Sequence, residues 1–148
     1  MTRVQDRLTQ LGIVLPDVFR PAGTYLPANT YGNLVYVSGQ GTTAIQGQVG
    51  GDLSIEQGYA AARQAGLLCL AALQAEIGSL DRVVKVFKVL GFVNCAPGFR
   101  QQPAVINGCS DLLVEVFGEA GRHARSAIGA AALPENIAVE VEMLVAVE

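Results

Sequence analysis

Clusters of positive charge are missing from this sequence: its 10 lysines and arginines are scattered and outnumbered by 13 acidic residues. Without a basic stripe there is no electrostatic footprint for nucleic acid, so RNA and DNA are disfavoured as main partners. Cysteine is scarce too. Cys69, Cys95 and Cys109 are odd in number and lack CxxC spacing. That excludes a disulfide framework or zinc knuckle and leaves buried free thiols, as expected in a reducing compartment. No apolar run approaches a membrane span, and the first ten residues are polar and amphipathic rather than an apolar leader, so a soluble cytoplasmic protein is expected. The only histidine, His123, stands in a polar turn with Gly121 and Arg122, a context that predicts surface or interface placement and no catalytic role. Gly39 and Gly41 are followed by neither GxGxxG nor a Walker lysine, so they make no phosphate loop. No metal or cofactor is called for.

What is present points to a compact globule. The 148 residues suit one domain, residues 1–148, and 51% apolar against 16% charged content excludes disorder. The C-terminal run Val139-Glu140-Val141-Glu142-Met143-Leu144-Val145 alternates with period two, which places the valines and Met143 on a buried sheet face and Glu140 and Glu142 on the other. Ala124 to Ile128 is also strand-like, so Arg125 and a glutamate are expected to meet on the non-core face. A guanidinium facing a carboxylate near a surface makes a pocket for a small organic acid. From spacing alone, a structural ion pair of Arg125 with Glu140 or Glu142 is the competing reading.

The remaining elements follow from periodicity and punctuation. Val4, Leu8 and Leu11 recur at helical spacing up to Gly12. Phe19 to Ala28 and Leu34 to Ser38 read as two strands of a hairpin. Ser54-Ile55-Glu56-Gln57 has the form of a capping box opening a helix, whose stripe from Ile55 through Gly66 and Cys69 to Ile77 is rich in small residues and ends at Gly78. Val83 to Val93 reads as a central strand with a bulge at Gly91, and a second helix runs from Gln102-Pro103 to Gly118. The expected order is βββ-α-β-α-ββ after a helical prefix, with two long helices on one face of a mixed sheet. The other face then calls for burial against another subunit.

Tyr25, the strand end Tyr36-Val37-Ser38-Gly39-Gln40, the block His123-Ala124-Arg125-Ser126-Ala127, and Leu133-Pro134 followed by Val139-Glu140-Val141-Glu142 together resemble the RidA family, also called the YjgF/YER057c/UK114 or L-PSP family. The resemblance covers nearly everything from Pro21 onward. It implies a chorismate-mutase-like α/β fold and a homotrimer with clefts between subunits. It also implies deamination of reactive 2-enamino or 2-imino acids to 2-oxo acids and ammonia.

Carried over by position, Arg125 matches the arginine that pairs with the substrate carboxylate, and Glu140 the glutamate that activates water. Tyr25 matches a tyrosine closing the pocket, Ser38 and Gly39 match cleft-lining groups, and Asn107 is the right type for a pocket asparagine although displaced in register. Ala127 stands where close relatives of the imine deaminases often carry cysteine, and residues 1–16 form an additional helical prefix, which together resemble a divergent branch.

The chemistry is consistent with so few groups. An iminium carbon beside a carboxylate already hydrolyses in water, so orienting the acid and moving one proton suffice, contributing on the order of a hundred- to ten-thousand-fold. Two alternatives stand beside the deaminase. One is a non-catalytic protein holding a small carboxylate through Arg125; the weaker one is an endoribonuclease, which the acidic charge balance opposes.

Overall fold

The computed structural model describes residues 3–148. Helix α1 (Arg3–Gln10) is followed by a long loop, then strands β1 (Ala28–Tyr31) and β2 (Leu34–Gln40), helix α2 (Ile55–Ile77), strand β3 (Val83–Asn94), helix α3 (Gln102–Phe117), and strands β4 (Ala124–Ala130) and β5 (Val139–Val147). The described strands form one mixed sheet in the order β1-β2-β5-β3-β4, in which β3 and β4 run parallel and the other neighbours antiparallel.

The chain enters α2 through the expected capping box: the Ser54 hydroxyl accepts from the Gln57 amide while the Gln57 side chain accepts from the Ser54 amide. Gly78, at φ +86°, ends the helix in a conformation that a Cβ would strain. Helices α2 and α3 pack on one face of the sheet. Their small residues let them approach each other: a Cβ on Gly66 would lie 3.1 Å from Cys109 Sγ, and one on Gly108 would strike the Tyr59 carbonyl. Cys69 and Cys109 are buried in this core, whereas Cys95 is half-buried. Arg7 Nε donates to the Glu115 carbonyl at 2.8 Å and the Val4 amide donates to Asp81 Oδ1 at 2.8 Å, which fastens α1 to the helical layer. Among the described residues no helix is long and apolar enough to cross a membrane.

Strand β5 lies at the centre, with Val139, Val141, Met143, Val145 and Val147 buried beneath the helices as their alternation requires. Among the described residues the opposite face carries no helix. Leu34, Tyr36, Leu90, Phe92, Ile128 and Leu144 lie there, Tyr36 50% and Ile128 45% exposed.

Two expectations about the strands are overturned. Phe19 to Pro27 is a loop and only Ala28 begins a strand, because Pro21 and Pro27 lack ladder donors and Gly23 weakens the run, so one strand of the expected three is missing before α2. Nor is there a bulge at Gly91. That glycine pairs in register with Val141, and the ladder shifts instead between Val83 and Lys85 and between Val86 and Lys88. Gly91 is required from above, since a Cβ there would lie 2.5 Å from Ile106 Cδ1.

Candidate functional site

The side chains expected to form one site are divided between the two faces of the sheet. Arg125 pairs in register with Val89, which is buried under the helices, so it projects to the helix side at the β4 edge. Glu140 pairs with Phe92 and projects to the uncovered side. With β3 and the thickness of the sheet between them, Arg125 and Glu140 do not meet within one chain, contrary to the expectation from sequence. The error was one of phase: Ala124 to Ile128 carries too little contrast between apolar and polar residues to reveal its buried side, which the parallel pairing with β3 decides.

On the helix side, Arg125 Nη1 donates to Asn107 Oδ1 at 2.8 Å and to Ser110 Oγ at 3.1 Å. The two acceptors stand three residues apart on α3 and so share a helix face. Ser110 Oγ in turn lies 2.9 Å from His123 Nε2, and His123 Nδ1 lies 2.7 Å from the Gly121 carbonyl. Asn107, Ser110, His123 and Arg125 border a hollow of about 270 Å³. The displaced register of Asn107 thus still brings it to Arg125, while Ala127 lies two residues further along β4, opposite Gly91. Arg125 forms no ion pair with Glu140 or Glu142 among the described residues. His123 is half-buried in the single chain, and neither it nor Ser110 was among the expected site residues. The signal available was position alone: Ser110 follows Asn107 by one helical turn and His123 precedes Arg125 by two residues.

Burial is the main cause that lowers His123 below the ordinary histidine range, and the nearby Arg125 charge acts in the same direction; the bond to the Gly121 carbonyl opposes both. Beneath the arginine, burial pushes the Cys109 thiol up to about 12, so it stays protonated although the positive charge of Arg125 pulls the other way.

On the other side, Glu140, Tyr25 and Gly39 border a cleft of about 300 Å³ together with Arg20, Gln40 and Pro134. Gly39 lies against the glutamate: a Cβ there would sit 2.8 Å from Glu140 Oε2. Burial raises the Glu140 carboxyl above its ordinary value, and the like charge of Glu142 adds to this. Glu142 itself accepts from Tyr36 Oη at 2.6 Å. Tyr25 is 53% exposed at the cleft rim. Ser38 sits where β2 departs from its register with β5, its hydroxyl donating to the Leu26 carbonyl at 2.6 Å and so holding the cleft loop to the sheet. Among the described residues no three His, Cys, Asp or Glu side chains are grouped to hold a metal ion.

A family model described as "YjgF/chorismate mutase-like, putative endoribonuclease" matches residues 5–147. The chain belongs to the YjgF/RidA family. The curated Protein TCP17 of Trypanosoma cruzi is 45% identical over 149 residues, covering 97% of this chain and 93% of that protein. The crystal structure of Atu1372 from Agrobacterium tumefaciens is 39% identical with a TM-score of 0.91, covering 98% of this chain and 92% of that one. RidA from an Antarctic Psychrobacter is 30% identical with a TM-score of 0.59, covering 88% of this chain and 94% of that one. Within the YjgF/RidA fold, this chain therefore follows the Agrobacterium protein much more closely than RidA.

Proposed function

We propose that the protein hydrolyses reactive 2-enamino and 2-imino acids to 2-oxo acids and ammonia, in clefts where three copies meet. The observation that carries this reading is the division of the two key groups. Arg125 is held by Asn107 and Ser110 at one edge of the sheet, Glu140 lies in a cleft on the other face, and a second copy is the simplest way to bring them to one ligand. The uncovered apolar face supplies a seam for such copies.

In the combined cleft the Arg125 guanidinium takes the substrate carboxylate, which orients the iminium carbon. Glu140 accepts a proton from a water molecule as its oxygen bonds to that carbon, and returns the proton to the nitrogen. The N-protonated carbinolamine then gives its hydroxyl proton to the freed Glu140 carboxylate as the C–N bond breaks, leaving the 2-oxo acid and ammonia, which carries that proton away as ammonium. A carboxyl with a raised pKa is suited to both halves of this exchange.

The test supplies 2-iminobutanoate by in situ action of a threonine dehydratase and follows 2-oxobutanoate release. Wild-type protein should accelerate release and Arg125→Ala should not. A wild type without effect that still binds 2-oxobutanoate supports the carboxylate-binding alternative. RNA cleavage by a nuclease-free preparation, surviving Glu140→Ala, supports the endoribonuclease in the family description. The net charge of −3 speaks against that last activity.

A further inference from the structure

The hydrogen bonds behind Arg125 have a direction that the geometry fixes. The Gly121 carbonyl can only accept, so His123 Nδ1, 2.7 Å away, carries a hydrogen. In the neutral ring Nε2 is then a lone pair, and Ser110 Oγ at 2.9 Å must direct its single proton there. What remains to Ser110 is acceptor capacity, which Arg125 Nη1 fills at 3.1 Å. The order of donation is Arg125 to Ser110 to His123 to Gly121. The second Nη1 hydrogen goes to Asn107 Oδ1. Both Nη1 hydrogens are therefore committed inside the protein, and the edge formed by Nε and Nη2 is the one left to grip a carboxylate.

We propose that Ser110 and His123 make carboxylate binding at Arg125 a proton-linked event, in which the ligand draws a proton onto His123 Nε2 and Ser110 turns its hydroxyl hydrogen toward the anion. The proposal rests on the reading of Arg125 as the carboxylate anchor. A proton from solvent joins Nε2, which becomes a donor to Ser110 Oγ. That oxygen then accepts from Nε2 and from Arg125 Nη1, so its own hydrogen swings about the Cβ–Oγ bond into the hollow and adds a donor to the site. No bond between heavy atoms forms or breaks. His123 is thus a positioning residue, acting through Ser110 on the ligand.

The charges around His123 permit this linkage. On α3, Asp111 accepts from Tyr59 at 2.7 Å and Glu115 pairs with Arg63 at 3.1 Å. In the turn before β4, Arg122 pairs with Glu119 at 3.0 Å. Lys88, on β3 beside Ala124, donates to Ser126 Oγ at 3.1 Å on the uncovered face. Arg125 on β4 is the cation whose repulsion of His123 an anion can cancel. A bound carboxylate therefore raises the affinity of His123 for protons. By reciprocity, lowering the pH tightens the carboxylate.

Because His123 is the only histidine in the chain, its ring can be followed by ¹⁵N NMR without ambiguity. In free protein the ring should be the Nδ1–H tautomer, and saturating 2-oxobutanoate should move its titration to higher pH. Calorimetry should find 2-oxobutanoate bound about five- to tenfold more tightly near pH 5.5 than near pH 8.5. In His123→Gln, whose side-chain oxygen still accepts from Ser110 but does not titrate, that pH dependence should vanish while binding persists. Ser110→Ala should weaken the response of the histidine to ligand. An Nε2–H tautomer, or a histidine whose titration ignores a ligand that binds, overturns the dyad and leaves the Arg125 site standing. A wild type that binds no 2-oxobutanoate at either pH overturns the anchor and the dyad with it.

Discussion

Gly39 and Glu140 are fitted to each other: the carboxylate lies where a side chain on residue 39 would be, with Oε2 2.8 Å and Cδ 2.9 Å from an ideal Cβ. The clash is with the far end of a flexible side chain, so Gly39→Ala should turn Glu140 aside and leave the sheet intact. Imine hydrolysis should fall by about 10- to 100-fold in kcat, with a melting temperature within about 2 °C of wild type. Steady-state kinetics beside a thermal melt checks the pair of outcomes.

Gly91 presents the opposite case, because its neighbour is a branched side chain in the core. A Cβ there meets three Ile106 carbons at 2.5 to 2.8 Å. Gly91→Ala should cost about 1–3 kcal/mol in urea denaturation. Ile106 is followed directly by Asn107, so the displaced helix should also loosen the hold on Arg125 and weaken 2-oxobutanoate binding.

Glu140 gives a pH-dependent stability whose sign follows from its raised carboxyl. A group whose value in the folded protein lies above its ordinary 4.5 favours folding below that value and loses this favour as pH rises through the folded value. At neutral pH the ionised carboxylate is therefore a burden on the fold. Glu140→Gln should melt a few degrees higher than wild type near pH 7, the gain should shrink toward about pH 4, and deaminase turnover should be lost. Melts across this range, set beside the imine assay, read both effects.

Mixing subunits tests the proposal that the cleft is shared between copies. Arg125→Ala and Glu140→Gln proteins should each be inactive, yet denatured together in equal amounts and refolded they should recover about a quarter of wild-type activity. Random assembly into closed rings of three makes about three quarters of the rings mixed, each with one complete cleft out of three. No recovery from a mixture confirmed to contain both chains would place Arg125 and Glu140 in separate roles.

Much of the scaffold was legible because its signals are local. The alternation of Val139 to Val147 set the inner face of β5, and Ser54 with Gln57 announced the start of α2 within four residues. The cleft loop was misread since apolar Phe19 and Leu26 suggested a strand while the prolines between and beside them forbade its ladder. The Arg125 cluster was only half legible. Asn107, Ser110 and His123 come together because α3 crosses the β4 edge, a relation with no trace in residue spacing. The facing of Arg125 was set by its partner strand rather than by its own neighbours.

The stitching of α1 to Glu115 and Asp81 has a practical corollary for handling the molecule. Helix α1 thereby lies on the helical layer, behind the sheet as seen from its bare side. A fluorophore on Gln5, an exposed residue of α1, would sit on that layer, so copies could be labelled from their backs without masking the surface through which they are expected to join.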